Sequence, residues 1–252
     1  MVTQSIVCYN IIMSDILVAG KDLPDILEFA EGFISNKKVY TSVKKDVDLS
    51  TFESEGIYSC NWNKSSAISA RNFIIKAETT LPDLSQYVVF FDSQYYASKF
   101  ELDRTESVSL AVDAMFANYQ LLVNEILLRL EQRKDPVVVS FLVKTYPSRF
   151  ETLHSSGRTS LVPSSNIVNA AQSAFISLAE NVSTLVADKT YMSVLLAKCD
   201  PSNELYDNDH DLGEWMGKAL DSVASMKSKQ SAKQASQWIR TGSKVSGFSL
   251  FK

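Results

Sequence analysis

The stretch Leu84–Phe100, LSQYVVFFDSQYYASKF, joins an unbroken apolar row, Tyr87-Val88-Val89-Phe90-Phe91, to a polar exit and a tyrosine-rich run. A short continuous row of β-branched and aromatic residues is what a strand buried on both faces requires. Shorter or weaker rows recur on either side of it: Ile16–Ala19, ended by Gly20, then Val39–Val43 and Ile57–Cys60. Pro136–Val143 and Ser193–Ala197 follow, and Lys244–Phe251 reads as a seventh strand.

Helical spacing fills the intervals. Leu23, Ile26, Leu27, Ala30, Phe33 and Ile34 fall on one face, with Pro24 tolerated in a first turn. Ser65 and Ser66 open a helix carrying Ala67, Ile68, Ile74 and Ile75. The longest stripe runs from Val108 through Met115, Phe116 and Tyr119 to Leu130, and a second runs from Ile167 to Leu185. Two further stretches, 214–226 and 232–238, precede the seventh strand. Strands alternating with helices imply right-handed crossovers and a parallel sheet covered on both faces. The expectation is one doubly wound α/β domain of Rossmann type over residues 1–252, with about seven parallel strands. Residues 1–13 stand as an N-terminal extension, and translation from Met1 or from Met13 fits equally well.

Composition excludes several classes of function. With 45% hydrophobic and 21% charged residues over 252 positions, the chain can bury a sizeable core. A net charge of -4 supplies no global attraction to nucleic acid or an anionic membrane, and no apolar run approaches a membrane span. Cys8, Cys60 and Cys199 are odd in number and far apart, against a disulfide framework or zinc site and in favour of a reducing, cytoplasmic setting. His154 and His210 both fall in expected loops without ligand-spaced partners, so no metal site is expected. Asp207-Asn208-Asp209-His210-Asp211-Leu212-Gly213 has the alternating oxygens of a calcium loop, but Leu212 replaces the turn glycine and Lys218 the bidentate glutamate. It reads as a solvated acidic loop before a helix beginning at Gly213. Lys227, Lys229, Lys233, Arg240 and Lys244 read as a solvated basic face.

Element order and length resemble the short-chain dehydrogenase/reductase family from Asp15 to Phe251. The segments carrying the likeness are ILVAGKDLPDILEFAEGF, LSQYVVFFDSQ, DRTESVSLAVDAMFANYQLLVNEILLRL, NAAQSAFISLAENVSTLVA and WIRTGSKVSGFSLF. The family's signature residues do not follow. Of its phosphate loop, T-G-x-x-x-G-x-G, Gly20 alone remains, with Pro24 and Ile26 where the later glycines belong. Pro24 lacks an amide, Ile26 adds bulk at a close approach, and Asp22 sets negative charge beside the expected phosphates. The cofactor-contacting turn after the fourth strand becomes Phe91-Asp92-Ser93-Gln94. The catalytic tyrosine and lysine positions fall on Val168 and Gln172, and residues 200–243 stand where the family covers its cleft.

Tyr95 and Lys99 do have the Tyr-x-x-x-Lys spacing, and a helix would bring them together so that the ammonium lowers the phenol's pKa. They fall one crossover too early, in an expected loop. The resemblance therefore implies a fold retained with its catalysis lost: a protein that binds a partner or a small ligand in the old cleft. The family's dimer helices correspond to residues 105–133 and 165–186, implying a homodimer or heteromer, with Met115, Phe116, Tyr119, Phe175 and Leu178 shared between sheet and partner. No cofactor is expected. The rival expectation is an oxidoreductase binding NADP or NAD in an altered mode, with Lys44 and Lys45 placed to meet a 2′-phosphate.

Overall fold

Side chains on successive strand residues point to opposite faces, so a continuous apolar row must be covered twice. The structure, a computed structural model, describes residues 14–45, 47, 56–100, 105–148, 150, 165–226 and 237–245. Seven strands form one parallel sheet in the order β3-β2-β1-β4-β5-β6-β7. They are β1 Asp15–Ala19, β2 Val39–Val43, β3 Ile57–Asn61, β4 Leu84–Asp92, β5 Val137–Lys144, β6 Met192–Cys199 and β7 Trp238–Arg240. The helices are α1 Leu27–Glu31, α2 Ala67–Thr80, α3 Ser93–Lys99, α4 Thr105–Val112, α5 Asn118–Arg133, α6 Asn166–Leu185 and α7 Asp209–Ala224, with a π-helical turn, Asp113–Ala117, joining α4 to α5.

Alternation along the strands makes two cores. Leu17, Tyr87, Val89, Phe91, Phe141 and Leu196 meet α2, α5 and α6 on one face. Ile16, Val18, Val88, Phe90, Leu142 and Leu195 meet α1 and α7 on the other. On the first face the Phe91 ring lies 5.5 Å from Tyr119 and 5.2 Å from Phe175. Each such fully buried ring stabilises the fold by roughly 1.5–3 kcal/mol. On the second face α1 and α7 approach closely at Gly32 and Gly213. A Cβ at Gly213 would lie 2.2 Å from the Phe29 carbonyl oxygen, so larger residues would separate the helices.

The doubly wound parallel sheet agrees with the sequence expectation; several element boundaries do not. Among the described residues the seventh strand is Trp238–Arg240, beside β6, a segment that the sequence reading places outside its seventh strand. A turn at Gly242, with φ of 79°, ends it, and Lys244 and Val245 are not strand. Residues 246–251 lie outside the described residues, as do the extension 1–13, His154, Lys227, Lys229, Lys233, and all of the expected helix 232–238 except its end at 237 and 238. Trp238 is strand, not helix. Helix α7 begins at Asp209, not at Glu214 or Gly213, because the Asn208 side chain caps it by accepting from the Asp211 amide. His210 is consequently helical. The long apolar stripe also starts late: Val108 and Val112 are each 40% exposed, while Ala111, Met115, Tyr119 and Leu122 are buried. The π turn carries an i→i+5 repeat that shifts the helical phase between α4 and α5.

Candidate functional site

In open α/β sheets ligands bind outside the carboxyl ends of the strands, where the strand order reverses. Here that point lies between β1 and β4. Each strand delivers a residue to it: Lys21 follows β1, Asp92 ends β4 and Lys144 ends β5. The N-terminal turn of α7 adds Asp209. Lys21 Nζ donates to Asp92 Oδ2 at 3.0 Å and to Asp209 Oδ2 at 2.5 Å, and Lys144 Nζ donates to Asp209 Oδ1 at 3.0 Å. The Lys21, Asp92 and Lys144 side chains are about 95% buried and that of Asp209 is 16% exposed.

Two ammonium groups and two carboxylates thus neutralise one another in the crevice. Burial alone would raise the Asp209 pKa, yet the charges of Lys21 and Lys144 outweigh it and hold this carboxyl below its ordinary value. Burial would likewise lower Lys21, but Asp92 and then Asp209 outweigh it and raise its pKa. The Asp207–Gly213 stretch is solvated at Asp207, Asn208, His210 and Asp211, as expected, but it is helical from Asp209, and Asp209 turns inward to clamp two buried lysines.

The remnant of the phosphate loop is tied down along its length. A Cβ at Gly20 would sit 2.1 Å from the Phe90 carbonyl oxygen, so this glycine serves β1–β4 packing. Asp22 accepts from Ser42 Oγ at 2.5 Å and pairs with Lys64 at 3.0 Å, and Lys64 also donates to the Gly20 carbonyl. Its charge is compensated rather than aimed at a ligand. Leu23 donates to the Ser42 carbonyl and its own carbonyl accepts from Lys44, stitching the loop to β2. Pro24 follows a cis peptide bond, and Ile26 is fully buried in the second core. Lys44 pairs with Asp25 at 2.7 Å, and Lys45 is exposed.

Tyr95 and Lys99 are on a helix, not in a loop. Asp92 caps α3 by accepting from the Tyr95 amide at 3.0 Å, and the resulting turn brings Lys99 Nζ onto the Tyr95 hydroxyl. The pair forms, but its chemistry is the reverse of activation. Tyr95 donates to Asp25 Oδ2 at 2.8 Å, and burial, this bond and the carboxylate charge all raise the phenol's pKa. A phenol so held is no base near neutral pH.

The remaining expected positions are structural contacts. Val168 is fully buried in the first core. Ser93 Oγ donates to Gln172 Oε1 at 2.7 Å, and the same oxygen accepts from the Tyr146 amide at 2.9 Å, joining α3, α6 and the exit of β5. Behind them Tyr96 and Tyr119 share a hydrogen bond of 3.0 Å, and Tyr119 donates to the Phe90 carbonyl. Asn118, directly after the π turn, is fully buried, and its Nδ2 has no hydrogen-bond acceptor among the described residues. Lys21, Lys144 and Asn118 do not stand out in the sequence, and Asp209 does so only within the calcium-loop-like stretch. A usable signal was the Asn208-x-x-Asp211 cap, which would have placed Asp209 in the first turn of a helix. Among the described residues no cluster of metal-ligating side chains forms and no helix is long and apolar enough to cross a membrane.

No family model matches the sequence, and no curated protein does. Solved structures do match in fold. A short chain dehydrogenase from Mycobacterium smegmatis superposes with a TM-score of 0.62 at 9% identity, over 92% of this chain and 93% of its own. An enoyl-[acyl-carrier-protein] reductase (NADH) from Aquifex aeolicus VF5 gives 0.60 at 14% identity, over 90% and 94%. A 3-ketoacyl-(acyl-carrier-protein) reductase from Brucella melitensis, complexed with NADH, gives 0.58 at 11% identity, over 90% and 96%. The chain has the fold of the short-chain dehydrogenases/reductases.

Proposed function

We propose that this protein works by binding rather than by hydride transfer, on a short-chain dehydrogenase/reductase fold whose cofactor crevice is filled by its own charges. The observation that carries this reading is the buried Lys21–Asp92–Asp209–Lys144 network at the switch point. A dinucleotide pyrophosphate needs free amides at a helix N-terminus and close backbone approach. Here Gly20 is spent on Phe90, Pro24 has no amide, α1 spans five residues, and two carboxylates stand beside the space. The residues present do not fit the cofactor in its ordinary mode.

The binding partner in this reading is a second protein chain, a copy of this one or a relative, seated on residues 105–133 and 165–186. Leu110, 67% exposed on α4, and Leu185, 65% exposed at the end of α6, support that surface. Met115, Tyr119 and Phe175 belong to the core instead. The second reading is an oxidoreductase using NADP or NAD in an altered mode, favoured by the fold shared with a reductase solved with NADH. Calorimetric titration with NADH and NADPH separates the two readings, and light scattering reads the assembly. No 1:1 complex at submillimolar ligand, together with an oligomeric mass, is the expected result. Submillimolar 1:1 binding overturns the filled crevice, and a monomer at high concentration overturns the subunit surface.

A further inference from the structure

Beside the Lys21 network, at the same end of the sheet, a second charge cluster is built on a single oxygen. Asp25 Oδ2 accepts from Lys44 Nζ at 2.7 Å and from the Tyr95 hydroxyl at 2.8 Å, and Lys99 Nζ lies 3.5 Å from it. Lys99 also donates to the Tyr95 hydroxyl, with its Nζ 3.9 Å from the centre of that ring. We propose that Lys99 is a nucleophilic amine that binds an aldehyde covalently, as an imine.

One carboxylate cannot neutralise two ammonium groups. Lys44 holds Asp25 the more closely, so Lys99 is the cation with the poorer partner. Lys64, beyond β3, adds a third positive charge, and its own carboxylate is Asp22. Ammonium groups crowded together favour loss of a proton from one of them, which is how a neighbouring cation activates a lysine. The charged and titratable groups around Lys99 are thus Asp25, Tyr95, Lys44 and Lys64. Burial pulls the Lys99 pKa down and Asp25 opposes it, but Lys44 and Lys64 add to the lowering, and the net shift is downward. The Tyr95 proton is committed to Asp25, so its oxygen is free to accept from Lys99, and a neutral amine still has an N–H to offer it. The Lys99 side chain is 42% exposed, which leaves it open to a ligand from solvent.

In the reaction the neutral Nζ attacks the carbonyl carbon to give a carbinolamine. The two amine hydrogens and the carbonyl oxygen then leave as one water, and a carbon–nitrogen double bond remains. No oxidant or reductant takes part. None of the four residues that fill the crevice belongs to this cluster, so the inference stands apart from the reading above.

The test is one equivalent of propanal at pH 7 with cyanoborohydride, which reduces the imine to a stable secondary amine, followed by peptide mass spectrometry. Lys99 should carry more propyl label than any other lysine side chain, and Lys99→Arg should remove that label while the others keep theirs. Lys44→Gln leaves Asp25 to serve Lys99 alone. It should slow labelling of Lys99 about threefold or more and move its pH profile upward, a shift that a merely structural contact would not produce. Label spread evenly over the lysines, or greatest on another one, overturns the proposal. A pH profile unchanged in folded Lys44→Gln overturns it too. Should a variant fail to fold, the label map of the wild-type chain decides.

Discussion

The two ends of the sheet each bury a lysine, and they treat it differently. At the carboxyl end Lys21 is held between Asp92 and Asp209, and Lys144 completes the balance with every partner mostly or fully buried. At the amino end Lys37 is as deeply buried, but its partner Asp221 is 50% exposed. The first arrangement satisfies its charges among mostly buried partners; the second leaves its carboxylate half in solvent at the edge of a cavity. In the reading proposed above, the end where open α/β sheets receive ligands is filled by its own charges, while the opposite end keeps open space beside its ion pair.

Removing each lysine tests that contrast most forcefully. Lys21→Ala leaves Asp92 buried without its cation, and loss of one partner of a buried pair costs about 3–5 kcal/mol. Lys37→Ala should cost about 1 kcal/mol or less, because the half-exposed Asp221 stays hydrated. Urea denaturation of both variants reads the difference directly. Equal losses would remove the distinction between a sealed and an open end.

Acid titration gives a smaller effect. The Asp209 carboxyl is depressed in the folded state, so its contribution is present above the ordinary carboxylate pKa and is lost as pH falls through the lower folded value. Lys21, raised when folded, contributes fully below the ordinary lysine pKa and loses that contribution only as pH rises through its still higher folded value. The network is thus intact across neutral pH and fails first in acid. Asp209→Asn should reduce stability at pH 7 by about 1–3 kcal/mol and flatten the decline below about pH 4. Denaturation midpoints measured between pH 2 and pH 7 check this, and an unchanged acid slope would place Asp209 outside the network.

The sheet was legible because apolar rows such as Tyr87–Phe91 and Val137–Val143 admit few other readings. Its last strand was not, since Trp238-Ile239-Arg240 is too short to carry a pattern and Lys244–Phe251 resembles one better. The charge network was hidden for a different reason. Its bonds join residues 71, 188 and 65 positions apart, and no local spacing records that. Tyr95 and Lys99 show the converse. Their spacing was visible and their helix real, yet burial and then Asp25, 70 positions from Tyr95, govern the phenol. Local pattern specified the contact, and tertiary burial with a distant carboxylate set its chemistry.

The most direct test of the filled crevice is a double-mutant cycle between Lys144 and Asp209. Lys144→Met, Asp209→Asn and the double variant are compared by urea denaturation. The account predicts a coupling of about 1 kcal/mol or more, as for groups sharing one buried network. A coupling indistinguishable from zero, with the single losses simply adding, would mean that α7 does not hold the crevice shut.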